Sequence, residues 1–287
     1  MEFVFRRWIP AFAGMSNWDV SSVVSMENMF DLTYLNIPPP DLSQWKTTSL
    51  ENMEHMFAYS PHADIPGLGN LDTSNVESID YIFLHSEFNG DLSGWDTSKM
   101  RTMHGAFESA VRFTGESIVD WDVGNVVDFS EAFKDASNFN ADLSKWRICT
   151  TRDDSNFFDA VQMARTFQGV RDFTGTSIEN WNVRNVVNMS YMFAGAESFN
   201  ANLSRWDVSR VIDFSSMFRR TESFEGVGVD MWTTSSALHM REMFAETSRF
   251  NADLSDWDIS KVENMSGMFR NSSKFEGQGL RHWDMSN

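Results

Sequence analysis

A tryptophan recurs along this chain about every 25–26 residues, and no other feature restricts the fold as strongly. Trp18, Trp45, Trp95, Trp121, Trp146, Trp181, Trp206, Trp232, Trp257 and Trp283 mark the period, and Leu71 stands in the one gap. Twelve residues after each marker comes a phenylalanine, as in Phe30, Phe57, Phe83, Phe107, Phe133, Phe193, Phe218, Phe244 and Phe269. Trp146 alone breaks the spacing: Phe167 follows it by twenty-one residues, which places an insertion at 147–156. Self-similarity at this period signals stacked supersecondary units, none of which can bury its own apolar face alone. About ten units fill 16–287 as a single array, preceded by a non-repeat segment or cap at 1–15.

A longer period overlies the first. Segments FNGDLS (88–93), FNADLS (139–144), FNANLS (199–204) and FNADLS (250–255) alternate with FTGESI (113–118), FTGTSI (173–178), FEGVGV (224–229) and FEGQGL (275–280). The second type is one residue longer, so the full period is 51 residues, as from Trp181 to Trp232 to Trp283. Gly115, Gly175, Gly226 and Gly277 are expected to absorb the extra residue in a bulge.

Within a unit the spacing predicts one short helix and one short strand. Val186, Met189, Met192 and Phe193 fall on one helical face. Ser74 with Glu77, Ser260 with Glu263, and Thr48 with Glu51 have capping-box spacing. Before each Trp, alternation in Phe139–Ser144 predicts a strand with Ala141 and Leu143 inward. The expected fold class is an α/β solenoid with one short strand and one short helix per repeat.

The W-D-x-S-x-V-x-x-M-x-x-M-F core followed by F-N-x-D-L-S-x-W resembles the leucine-rich-repeat variant of BspA-like surface proteins. It also resembles a repeat known from Mycoplasma lipoproteins. Asn180–Asp207 and Asp253–Phe269 carry the resemblance most clearly, and it covers roughly residues 12–287. The resemblance implies a leucine-rich-repeat-like α/β solenoid, and a surface or secreted protein used for attachment and partner binding. No signal peptide is legible at the N-terminus, where Arg6, Arg7 and Pro10 interrupt the apolar residues.

Charge narrows the partners. With 41 acidic and 23 basic residues the net charge is −18, a field that repels nucleic acid and anionic membranes and favours cationic partners. No apolar run approaches the roughly 18 residues of a membrane helix. The one cysteine, Cys149, rules out an intrachain disulfide.

Four residues before the Trp, a polar row recurs in alternate units: Asp41, Asp91, Asp142, Asn202 and Asp253. Gly67, Ser117, Ser177, Gly228 and Gly279 take the place between them. Set on an outward strand face, such groups stand about 10 Å apart, too far for two carboxylates to share a calcium ion. This row is the candidate binding face for a protein or glycan partner. Two further rows read as backbone partners: the Asn after each strand Phe (Asn89, Asn140, Asn200, Asn251), and the Asp after Trp (Asp19, Asp72, Asp96, Asp122, Asp207, Asp258, Asp284). The six histidines are scattered, and no zinc, phosphate-loop or nucleophile-elbow motif is present, so no cofactor or metal is expected. An enzyme built on the insertion would have only Cys149, Asp153 and Asp154 to work with, with no base or oxyanion arrangement beside them. The chain stops on a consensus strand and Trp, which points to end-to-end self-association through the C-terminal repeat as an alternative role.

Overall fold

A computed structural model describes residues 14–32, 38–148 and 160–284. The expected cap at 1–15 lies almost entirely outside them, and so do residues 149–156 of the insertion with Cys149, Asp153 and Asp154. Two compact units divide the chain, 1–146 and 147–287.

Each unit is a stack of similar coils joined in parallel. In the first, single parallel bridges run Ser25–Asn52–Ser78–Thr102–Asp128. In the second, β1 (Val161–Gln162) pairs in parallel with β2 (Val186–Asn188), and bridges continue from Asn188 to Asp213, His239 and Asn264. Every residue of the single bridges, Asn188 included, lies seven residues after its Trp or Leu71 marker. The extended backbone therefore sits where the spacing predicts a helix, and the predicted strand before the Trp is a turn.

No α-helix occurs among the described residues. The Met-x-x-Met-Phe segment is instead a run of overlapping turns. In the second coil the amides of Met56, Ala58 and Ser60 donate to the carbonyls of Met53, His55 and Phe57, three residues back. The intervening amides, of His55, Phe57 and Tyr59, reach forward to the carbonyls of Asp80, Ile82 and Leu84 in the next coil. Met189–Ala196 repeats the pattern, with Phe193 donating to Met217 at 3.0 Å. Half the amides thus close turns and half tie the coils together, whereas a helix would spend all of them internally. A lone helix of this length is marginal in water, so the inter-coil ladder prevails.

The turns need left-handed residues, and each coil supplies two, four apart: His55 and Tyr59, Tyr81 and His85, Glu131 and Asp135, Tyr191 and Gly195, Glu242 and Glu246. Positive φ two residues into a turn is the type II geometry. Three-residue turn closure also explains the sequence spacing, since Met53 and Met56, and Met189 and Met192, are the buried ends of such turns. The expected capping boxes do not form. The amides of Glu51, Glu77 and Glu263 reach back to Val24, Glu51 and Leu238 of the preceding coil.

The core is aromatic columns. Phe30, Phe57, Phe83, Phe107 and Phe133 stack at 5.3–5.9 Å between ring centres in the first unit. Phe167, Phe193, Phe218, Phe244 and Phe269 stack at 5.7–5.9 Å in the second. A second Phe column packs against the first at about ring-contact distance, as in Phe107–Phe113 (4.0 Å) and Phe193–Phe199 (3.9 Å). Each buried indole also finds a partner. Trp95, Trp146, Trp206 and Trp257 donate from Nε1 to the carbonyls of Leu68, Ile118, Ile178 and Val229 in the preceding coil, at 2.8–3.1 Å. Phe269, Phe275 and Trp283 are only half-buried, unlike their counterparts one coil earlier, because no described coil lies beyond them.

The 51-residue period has a packing cause. Gly228 (φ +89°) sits on the turn of the preceding coil, and a Cβ there would come within 2.1 Å of the Ser204 amide nitrogen. Gly67 and Gly279 do the same over Ser43 and Ser255. Where the first glycine leads, as at Gly175, a Cβ would strike the Phe199 ring at 2.3 Å. The extra residue is absorbed in 3-10 turns capped by these left-handed glycines, at Glu116–Ile118, Thr176–Ile178, Val229–Met231 and Leu280–His282, rather than in strand bulges.

Candidate functional site

Asp41, Asp91, Asp142, Asn202 and Asp253 are all exposed and all sit on turns, not on strands. In each, Oδ1 accepts the amide two residues on, that of Ser43, Ser93, Ser144, Ser204 and Ser255, at 2.8–3.0 Å. These bonds from the serine hydroxyls and amides hold the four carboxylates below their ordinary pKa. The row therefore stays ionised at any neutral or mildly acidic pH. One oxygen of each residue shapes the turn, and the side chain as a whole remains open to solvent. Where the intervening coil carries Gly67, Gly228 or Gly279, that glycine lies on the turn of the preceding coil and leaves no room for a side chain; Ser117 and Ser177 take the place in the other two.

Beside Asp91 the turn opens into a polar cleft lined by Asn89, Gly90, Asp91, Ser93, Thr114, Glu116 and Ser117. Its walls are partly self-satisfied: Asn89 Oδ1 accepts from the Thr114 amide at 2.9 Å, and the Ser117 hydroxyl donates to the Gly90 carbonyl at 3.3 Å. The asparagine row works as a ladder, since Asn200 and Asn251 likewise accept the amides of Glu225 and Glu276 at 3.0 Å. The Asp after each Trp caps a turn, as Asp96 does for Ser98 and Asp258 for Ser260. There is no helix N-terminus for it to satisfy.

Sequence reasoning missed a second polar surface, the outer side of the overlapping-turn ladder. Here side chains nine to fourteen residues after the Trp stand in columns from coil to coil. In the first unit Asp80 Oδ1 accepts the Thr102 hydroxyl at 2.6 Å and the His104 amide at 2.7 Å, and His104 Nδ1 meets Asp128 Oδ2 at 3.2 Å. Burial raises the Asp80 pKa, and the hydrogen bonds only partly offset it. The bond to Asp128 raises that of His104 against the effect of burial. Burial pushes Asp128 up, but the bonds from His104 and Ser130 outweigh it and hold the carboxyl low. Lys134 lies between Glu108 (2.8 Å) and Glu131 (2.7 Å). His55 stacks on Tyr81 at 4.8 Å and Tyr59 on His85 at 5.2 Å. The same columns in the second unit hold arginines: Arg219 and Arg270 both reach Glu242 (3.3 Å each) and Glu246 (3.6 and 3.2 Å), and Arg220 binds Glu246 at 2.6 Å. Residues alternating with buried Met and Phe could have marked this surface, had the segment not been read as a helix.

No group of metal-ligating side chains occurs among the described residues, and no helix among them is long and apolar enough to cross a membrane. The stacked coils, the aromatic columns and the periodic polar rows define a repeat protein. The chain belongs to the family described as "Mycoplasma protein of unknown function, DUF285", whose model matches residues 1–66, 60–162, 156–228 and 226–287. No curated protein matches the chain.

Proposed function

We propose that the chain is a non-enzymatic binding protein: a solenoid of stacked coils, similar to BspA-like leucine-rich-repeat surface proteins. Its turn edge offers a regular row of carboxylates to a cationic protein or glycan. The observation that carries this reading is the row itself. Five polar side chains occupy equivalent turns, four of them ionised, each exposed and each fixed by the same hydrogen bond. Within each unit, charges fixed on alternate coils lose little conformational entropy on binding, which favours a partner of matching spacing. A periodic row without a nucleophile or base beside it suits recognition better than catalysis.

Asn202 provides the test, because it keeps the turn without the charge. Changing Asp41, Asp91, Asp142 and Asp253 together to Asn removes four charges and leaves every Oδ1 acceptor in place. Binding to a lysine-rich peptide and to a chitosan oligosaccharide would be compared with a control in which four exposed acids elsewhere (Glu51, Glu77, Glu263 and Asp120) become Gln or Asn. The expected result is a loss of about tenfold or more in the row variant beyond that in the control. The arm that responds identifies protein or amino-sugar chemistry. Equal losses in both variants would mean that only overall charge matters and that the row is not the site.

A further inference from the structure

The two units carry opposite charge at the same places in the coil. On the turn-ladder wall of the first unit, Glu54, Asp80, Glu108, Asp128, Glu131 and Asp135 face one cation, Lys134. On the wall of the second, Arg165, Arg219, Arg220, Arg241 and Arg270 stand with three carboxylates, Asp213, Glu242 and Glu246. Five guanidiniums on three carboxylates leave a surplus of positive charge, in a chain of net charge −18. The exposed guanidiniums of Arg220 and Arg241 are open to further carboxylates.

From this complementarity we propose that the arginine wall of the second unit docks on the acidic turn-ladder wall of the first unit of another copy. One observation selects a second copy over other anions. The walls are commensurate: ring centres in the Phe columns repeat at 5.3–5.9 Å in one unit and 5.7–5.9 Å in the other, so charges on successive coils can face one another in register. At about 0.1 M salt the Debye length is about 10 Å, so repulsion between distant parts of two copies is screened while pairs in contact keep their attraction. The docking is independent of the carboxylate row on the turn edge.

Sedimentation equilibrium of the whole chain tests this. The expected result is concentration-dependent association at about 0.1 M salt that is lost at about 1 M, where screening reaches about 3 Å. The exposed changes R220E and R241E should weaken association about tenfold or more, as should E131K with D135K on the opposite wall. Neither variant should associate with itself, whereas a mixture of the two should, because the reversed walls then complement each other. Melting curves of the variants confirm that each is folded. A chain that stays monomeric at low salt overturns the proposal. So does association that strengthens with salt, or that ignores the four substitutions.

Discussion

The two units share a scaffold and differ in what they display on it. Residues 1–146 hold 22 acidic and 8 basic residues, a net −14, and residues 147–287 hold 19 and 15, a net −4. Yet the bridges, the Phe columns, the indole bonds and the capped turns recur in both at equivalent positions. The inward positions of a coil are restricted by its neighbours above and below. The outward positions of the turn ladder meet one another, within a coil and between adjacent coils, rather than the core, so they can drift in charge without cost to it. Stability is therefore expected to be common to both units, and recognition to differ between them.

The largest effect should be the same in both. Phe57→Ala and Phe193→Ala each remove a fully buried ring stacked on both sides. Each is expected to cost about 3–5 kcal/mol in denaturant unfolding and to loosen the adjoining coils. A cost below about 1 kcal/mol in one unit only would break the equivalence. Trp95→Phe and Trp206→Phe keep an aromatic ring but remove the Nε1 donor to Leu68 and Ile178, and each should cost about 1–2 kcal/mol. Asp135 is exposed with φ +57°. Asp135→Val should cost about 1–2 kcal/mol because a β-branched side chain resists this conformation, while Asp135→Gly should be neutral or slightly stabilising. A Val variant as stable as the parent would mean that the turn ladder lacks its left-handed residues.

The smallest effect should separate the units. The raised pKa of His104 gives stability that is complete below about pH 6.5 and is lost as pH rises through the folded value. Asp80, also raised, acts in the same direction: protonation relieves the burial of its charge. Asp128, held low, contributes above about pH 4 and loses its contribution as pH falls through its folded value. Hydrogen exchange at Tyr81, His104 and Gly105 should therefore quicken modestly between about pH 6 and 8 once the intrinsic pH dependence of exchange is removed, by less than about 1 kcal/mol in these part-exposed groups. The matching amides of Tyr191, Ser215 and Ser216 should not follow. His104→Asn should abolish the difference.

Much of the inward pattern could be read from the chain. The Trp and Phe columns, the 51-residue alternation and the asparagine ladder are spacings, and each reappears as contacts between coils. The turn ladder was hidden for a physical reason. Apolar residues three and four apart mark a helical face, but turns closed by bonds three residues back produce the same spacing in Met189–Phe193. The left-handed positions were hidden too, since Tyr, His, Glu and Arg occupy half of them and glycine only a few, such as Gly105 and Gly195. The row from Asp41 to Asp253 lies on turns and not on the strand that alternation predicts. Its residues shape turns, and that is why an aspartate or asparagine stands at each. The charge difference between the two ladder walls lies in columns that appear only once the coils are stacked.

Couplings transmitted through hydrogen bonds test the central claim most directly, because they identify the acceptor of each amide. In deuterated, isotope-labelled protein, the amide nitrogens of Phe57 and Phe193 should couple to the carbonyl carbons of Ile82 and Met217 in the next coil, and those of Met56 and Met192 to Met53 and Met189, three residues back. Couplings from Phe57 and Phe193 to the carbonyls four residues before them would show an α-helix, and the stacked-turn account would be wrong.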